Sequence, residues 1–301
     1  MSGRHWHILG AGAMGCLFAR MLQGTGCEVT LLFREKPTDA TGTIVVEEGE
    51  SIVEVPVALS ANADSGAIDY LVVCTKAYEI AGAIGQVAHR INGKTQIVIA
   101  ANGMGYLEDA QRASGEATLF CCTTTEGAYR TAPLHVRHAG RGRTLLGKPG
   151  GGEAPLWMED WTNSPLAAQW EGAIEAALWH KLAINCAINP LTAVHRCLNG
   201  ELADRPVLRQ QVDALCAEIA GISRAAGFHK TAHNIHTDAL LVIASTAQNR
   251  SSMLQDTLAG RRTEIDYITG HLLAVAAAWG VDAPRHEDLY RRVLAISNVP
   301  V

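Results

Sequence analysis

Apolar positions along this chain change their spacing once. Up to about residue 170, short runs rich in Val, Ile, Leu and Phe alternate with segments of helical spacing; from Ile174 onward only the three-and-four spacing of helices recurs. Strands are expected at 5–9, 28–33, 69–74 and 96–100, with a further one from 119 toward 128. The stretches 43–46 and 52–57 flank Glu48-Gly49-Glu50 and predict a hairpin inserted into this half, without chemistry of its own. Residues 135–140 and 144–147 predict two antiparallel strands around a turn, and 168–170 the last strand. Helices are expected around 179–190, 207–226, 239–248, 265–279 and 285–294, with Gly227, Gly260 and Gly280 at helix ends.

The first strand runs directly into Gly10-Ala11-Gly12-Ala13-Met14-Gly15 and then into the helical pattern of Cys16, Leu17, Ala19, Met21 and Leu22. A strand, a G-x-G-x-x-G turn and a helix in that order form a dinucleotide-binding fingerprint. Gly10 allows the tight turn, Gly12 admits a pyrophosphate close to the backbone, and Gly15 lets the helix pack on the strand. The fold class follows: an α/β, Rossmann-type dinucleotide-binding domain over residues 1–170, then an all-helical domain over 171–301, the half expected to carry the substrate and catalytic residues if its polar row faces a ligand. At the end of the second strand, where an NAD-specific domain carries an acid for the ribose hydroxyls, this chain has Arg34. A guanidinium suits a 2′-phosphate, so NADPH is expected over NADH; the neighbouring Glu35 is the alternative ribose contact. Lys76 and Asn102 follow the carboxyl ends of two further strands, the edge that lines the ligand crevice of such sheets.

In the helical half, Lys181, Asn185 and Asn189 stand at i, i+4 and i+8, one polar row on an otherwise apolar helix. Such a row is either an inter-helix hydrogen-bond network or a cationic proton donor flanked by two amides and facing a polar ligand. A second polar cluster spans Asn249 to Asp256 and Arg261 to Tyr267. Ser251 or Ser252 can cap a helix starting at Met253, and Thr263 with Asp266 the next; free donors at a helix start also receive carboxylates.

Composition narrows the function classes. The chain has 301 residues, 48% hydrophobic and 18% charged, with a net charge of −5, which fits a folded two-domain protein rather than a disordered one. Arg141-Gly142-Arg143 and Arg261-Arg262 are too short to form a nucleic-acid footprint, so no nucleic-acid partner is expected. No apolar run approaches the ~20 residues of a membrane helix, and the start of the chain leaves no room for a signal peptide, so a cytoplasmic location without membrane association is expected. Eight cysteines without metal-type spacing read as free, mostly buried thiols, and no metal site is expected.

Taken together, these residues resemble the ketopantoate reductase family over nearly the whole chain. The glycine loop is shared by many dehydrogenases. More specific are Thr75-Lys76, Asn102-Gly103, Trp179 through Asn185 and Asn189-Pro190, Asn199-Gly200, Ser251 through Asp256, and Thr263 through Gly270. The resemblance implies NADPH-dependent reduction of 2-dehydropantoate to (R)-pantoate, a step toward pantothenate and coenzyme A. It implies Lys181 as general acid with Glu264 beside the reacting centre. The cofactor would be held by Gly10, Gly12, Ala13, Met14, Gly15, Arg34, Lys76 and Asn102, and the substrate by Asn102, Asn185, Asn189, Asn199, Asn249 and Ser252. One departure is Glu126, where many members carry another residue and to which no role is assigned; Glu35 beside Arg34 is a second. The alternatives are a reductase of another small 2-oxo acid and, in a different class, a non-catalytic NADPH sensor. Helical patterns too apolar for solvent also raise a homodimer through the second domain.

Overall fold

A computed structural model describes residues 3–297. The chain divides into two compact units. One comprises residues up to Ala101 together with Tyr106–Ala177; the other comprises Asn102–Gly105 together with residues from Leu178 onward.

The first unit is built on one sheet of eleven strands. In chain order its elements are β1 (His5–Leu9), α1 (Ala13–Gln23), β2 (Glu28–Phe33), β3 (Thr41–Glu48), β4 (Ser51–Ala61), β5 (Tyr70–Val73), a 3-10 turn (Ala77–Glu79), α2 (Ile80–Gln86), β6 (Gln96–Ile99), α3 (Leu107–Ser114), β7 (Thr118–Thr124), β8 (Gly127–Ala132), β9 (His135–Gly140), β10 (Thr144–Gly147), α4 (Met158–Thr162) and β11 (Gln169–Trp170). The sheet order is β11-β10-β7-β6-β5-β1-β2-β4-β3-β9-β8. Its centre, β7-β6-β5-β1-β2-β4, is all parallel and has the strand order of a doubly wound dinucleotide-binding sheet, β4 taking the third place. Parallel strands covered on both faces must be apolar nearly throughout, and Leu71, Val72, Val73, Ile97, Val98 and Ile99 are all fully buried.

Two expectations change here. The hairpin of β3 and β4 exists, yet it is no insertion: β4 pairs with β2 as an integral strand of the sheet. Nor do 135–140 and 144–147 pair with each other. β9 pairs with β8 and β10 with β7, so 118–132 and 135–147 are the two arms of one long antiparallel ribbon, interrupted at the same level by 125–126 and 141–143. Beyond that kink the ribbon leaves β7 and joins β3 through β9, which encloses α1 and accounts for the complete burial of Cys16, Leu17, Phe18, Ala19 and Leu22. Glu126 pins the kink. Its buried carboxylate accepts from His138 Nε2 at 2.6 Å and from the Gly142 amide at 2.9 Å, and a Cβ on Gly142 would collide with Thr125.

The second unit is helical. The long α5 (Ile174–His195) begins in the first unit and is followed by α6 (Glu201–Asp204), α7 (Pro206–Ala225), α8 (His229–Ser245), α9 (Ser252–Leu258), a π-turn (Asp266–Gly270), α10 (His271–Ala278) and α11 (Pro284–Ser297). Gly227, Gly260 and Gly280 each stand two residues past the end of a helix, as their spacing predicts. The helix expected from 239 starts at His229, because its first half hides the buried stripe Thr231, Ala232, Ile235 among histidines and an asparagine. The helix expected over 265–279 opens with a π-turn, where the Tyr267 carbonyl accepts from the Met104 amide at 2.8 Å. Among the described residues no helix is long and apolar enough to cross a membrane.

Candidate active-site elements in the two units

In the first unit the carboxyl ends of the adjacent strands β2, β1 and β5 carry Arg34, the glycine loop and Thr75-Lys76. The three loop glycines do different jobs. Gly10 sits at φ +106°, and a Cβ there would lie 2.9 Å from the Cys74 carbonyl carbon. A Cβ on Gly15 would collide with the Gly10 carbonyl oxygen and approach Ile8 to 3.3 Å, so that glycine sets the contact of α1 with β1. A Cβ on Gly12 meets nothing within 4 Å. Gly12 is therefore required by nothing in the fold itself, and the space over it suits a ligand brought close to the backbone.

The N-terminus of α1 points the same way. Gly12 is its N-cap with no side-chain hydrogen bond, and its first turn holds no acidic residue. The amides of Ala13, Met14 and Gly15 have no carbonyl of their own helix to bond, and the helix dipole places about half a positive charge there. Beside them Thr75 Oγ1 is buried with no hydrogen-bond partner among the described residues. Unused amides, an open glycine and a lone hydroxyl together fit a pyrophosphate.

Arg34 follows the last residue of β2 with its side chain 63% exposed, and its terminal guanidinium nitrogen bonds Glu79 Oε1 at 2.7 Å. Glu79 ends the 3-10 turn after β5, and Lys76, in extended conformation, precedes that turn. Glu35, the alternative ribose contact, is a surface residue, and the carboxylate that Arg34 bonds is that of Glu79. Sequence reasoning missed Glu79. The available signal was the strand order, which brings the ends of β2 and β5 to either side of β1.

In the second unit the residues Asn102–Gly105 form a short strap on the π-turn. Met104 is bonded to Tyr267 as above, and Asn102 Nδ2 donates to Glu264 Oε2 at 3.5 Å. Gly103 has φ +85°, and a Cβ on it would lie 2.8 Å from the Tyr267 carbonyl carbon, so only glycine permits the approach. Glu264 is 4% exposed. The residue after it but one, Asp266, receives Tyr290 Oη at 2.6 Å and Arg262 at 3.1 Å.

The α5 row spans two environments. Lys181 and Asn185 are half-buried, while Asn189 is buried beside Pro190. The rest of the helix is anchored: Trp179 stacks on Phe228 at 4.7 Å and its indole donates to Ser223 Oγ at 2.9 Å. His180, the residue before the lysine, sits 3.4 Å from Asp238, and burial holds its pKa below the ordinary histidine value despite that carboxylate. It is a poor proton donor at neutral pH, which leaves Lys181 as the cation of this turn.

The capping cluster resolves into two roles. Ser251, buried, caps α9 by accepting from the Leu254 amide at 3.1 Å, and its hydroxyl meets Thr192 Oγ1 of α5 at 2.7 Å. Ser252 is the exposed first residue of α9 and carries none of that load. Thr263 caps nothing: its hydroxyl is buried without a hydrogen-bond partner among the described residues, and the π-turn has no side-chain cap. The Asn199 amide donates to the Asn249 carbonyl at 3.0 Å, and Asn199 Nδ2 donates to Thr246 Oγ1 at 2.9 Å, while its Oδ1 is buried without a partner among the described residues. The Asn249 side chain is exposed. The structure thus joins Asn102 to Glu264, Asn199 to Asn249, and α5 to the start of α9.

Comparison with known proteins places the chain in a family. Residues 6–151 match the family model for ketopantoate reductase PanE/ApbA, and residues 173–297 match the model for its C-terminal region. A 2-dehydropantoate 2-reductase of Shigella flexneri is 35% identical over 297 residues, covering 95% of this chain and 93% of that protein. One from Vibrio cholerae is 33% identical, covering 97% of each. Among solved structures, a D-mandelate dehydrogenase with NADH and anilino(oxo)acetate superposes with a TM-score of 0.88 over 98% of both chains, at 22% identity, and so shares the fold.

Proposed function

This chain belongs to the ketopantoate reductase family, and from that premise we propose that it is an NADP-dependent oxidoreductase that reduces 2-dehydropantoate to (R)-pantoate. The observation that carries the reading is the full-length likeness to 2-dehydropantoate 2-reductases, joined to a lysine-bearing helix whose neighbouring histidine is kept neutral. When bound, the reduced nicotinamide supplies the hydride taken up at C2 of the substrate.

In this proposal the first unit holds the cofactor. The amides of Ala13, Met14 and Gly15 bind the pyrophosphate over Gly10 and Gly12, while Arg34 and Lys76 meet the remaining phosphate charge. Asn102 supports the cofactor and the substrate from the strap. The second unit supplies the proton and the substrate contacts. As C2 gains hydride its oxygen becomes negative, and the Lys181 ammonium both stabilises that oxygen and donates its proton to it, leaving a neutral amine that solvent reprotonates. Glu264, held by Asn102, orients these groups and favours the charged form of the lysine. Asn185, Asn189, Asn199, Asn249 and Ser252 bind the hydroxyl and carboxylate of the substrate without adding charge. Asn199 Oδ1 is buried with no hydrogen-bond partner among the described residues, which suits a contact to a donor on the substrate.

Replacing Lys181 with Ala tests the assignment. Loss of a general acid lowers kcat by at least ~10²-fold while NADPH binding stays nearly unchanged. Wild-type turnover in that variant would refute the mechanism. NADPH oxidation at 340 nm with ketopantoate, against a panel of 2-oxo acids, tests the substrate. Activity on another acid with none on ketopantoate would replace the substrate, and binding without any turnover would make the protein a sensor. The proposal includes a cytoplasmic location and a homodimer through the helical unit, where Val207, Leu241 and Trp279 are exposed apolar side chains; light scattering of the purified protein reads the latter.

A further inference from the structure

We propose that Glu79 is a cofactor-specificity residue: by pairing with Arg34 it lowers the preference for NADPH over NADH that the arginine alone would give. The inference rests on the reading of the first unit as an NADP site and concerns a residue that reading leaves without a role.

The geometry is local to one sheet edge. β1 lies between β2 and β5, so the group after β2 and the group after β5 stand on either side of the glycine loop. Arg34 is the residue after β2, the position that faces the ribose 2′ oxygen in a doubly wound sheet. Glu79 reaches it at 2.7 Å through a terminal guanidinium nitrogen, so a carboxylate lies within one hydrogen bond of the group meant for the 2′-phosphate. An arginine has five donors and can hold both partners, but the phosphate brings a charge of about −1.5 to −2 toward a fixed negative charge. With NADPH, Glu79 competes for the guanidinium and repels the phosphate. With NADH there is no repulsion, and the carboxylate can accept from the 2′ hydroxyl, the task that acids at the end of the second strand perform in NAD-binding domains.

Two opposing effects set the sign. Removing the Glu79 charge deprives Arg34 of an orienting partner, but both side chains are partly exposed, at 63% and 36%, and such pairs orient weakly. Repulsion between the carboxylate and a phosphate dianion a few ångströms away is the larger effect even in high dielectric. The net expectation is tighter binding of the 2′-phosphorylated cofactor once the charge is gone.

The test is direct binding, independent of turnover. Dissociation constants of NADP+, NAD+, 2′,5′-ADP and 5′-ADP are measured by calorimetry on the wild type, Glu79→Gln, Glu79→Ala and Arg34→Gln. Glu79→Gln and Glu79→Ala should each tighten NADP+ and 2′,5′-ADP by ~3- to 10-fold and shift the NADP+/NAD+ ratio by at least that factor, with less gain in high salt. In the Arg34→Gln background the same change should move the ratio by a different factor, because the two residues are coupled. An unchanged ratio in both Glu79 variants, or weaker NADP+ binding in them, overturns the inference. Its fate is separable from that of the functional reading: a protein that binds NADP+ with the expected shifts but does not reduce ketopantoate sinks the substrate and leaves Glu79 in its role. Failure of the wild type to bind either dinucleotide sinks both.

Discussion

The glycine loop allows a test in which one methyl group separates ligand binding from folding. A Cβ on Gly12 meets no atom within 4 Å, and its backbone, at φ −83° and ψ −167°, is open to any residue. Gly12→Ala therefore meets no steric penalty in the folded protein; exchanging glycine for alanine at an N-cap costs at most about 1 kcal/mol. A Cβ on Gly15 instead runs into the Gly10 carbonyl and crowds Ile8, and since α1 is buried all round it has nowhere to retreat. Overpacking of that kind costs about 1 to 3 kcal/mol, and displacement of α1 from β1 adds to it. Binding orders the two the other way. The Gly12 methyl fills the space in which a pyrophosphate approaches the backbone, so Gly12→Ala should weaken NADPH by at least ~10-fold, or about 1.4 kcal/mol. Thermal unfolding of the two variants, together with NADPH titration by tryptophan fluorescence, reads both quantities. The reasoning fails if Gly12→Ala binds NADPH like the wild type, or if Gly15→Ala is as stable as Gly12→Ala.

Further expectations rest on separate features. Gly103→Ala puts a residue at φ +85° against the Tyr267 backbone and should cost about 2 to 4 kcal/mol from backbone strain and the lost Met104 hydrogen bond, reducing kcat with ketopantoate more than NADPH affinity; unchanged kcat would remove the strap from the catalytic machinery. Ser251→Ala loses the α9 cap and leaves the buried Thr192 hydroxyl short of a partner, about 2 kcal/mol of stability, whereas Ser252→Ala should leave stability within about 0.5 kcal/mol and raise KM for ketopantoate. Equal thermal shifts in the two serine variants would contradict the division of labour. His7 is buried in β1; burial, then the charges of His5 and Arg90, lower its pKa to about 3. A histidine with a depressed folded-state pKa contributes stability above its unfolded value near 6.5 and loses it as pH falls from there toward about 3, so urea resistance should drop by about 2 kcal/mol between pH 7 and pH 5. His7→Asn should flatten that slope; an identical slope in the variant would remove His7 as its source.

How far the sequence could be read depended on whether a residue's partner is local. β1, the loop and α1 are consecutive and obey rules a few residues long, and β2 spans the 28–33 that its pattern predicts. The α5 stripe and the glycine helix ends are likewise local. The 118–147 ribbon is different. The run 135–140 and the run 144–147 each announce a strand, but which strand pairs with which depends on the kink at 125–126 and 141–143 and on the distant β3, and no spacing encodes that. Glu126 looked like an unexplained departure because its partners are His138 and Gly142 across that kink.

The same reasoning explains why the site was legible in kind and not in detail. Lys181, Asn185 and Asn189 declare themselves by helical spacing, Asn102 by its place after a strand and Glu264 by resemblance, but the contact of the last two joins positions 162 residues apart in sequence. Arg34 is the clearest case. Its sequence neighbour Glu35, weighed as a ribose contact, lies exposed past the last paired residue of the strand and is not the acid that holds the guanidinium. Glu79, 45 residues on, is brought to the guanidinium by the order in which three parallel strands are laid side by side. A dinucleotide site at the carboxyl edge of such a sheet is assembled from strand ends, so its charge balance belongs to the topology, and an acid that modulates an arginine there is to be sought on the neighbouring strand ends.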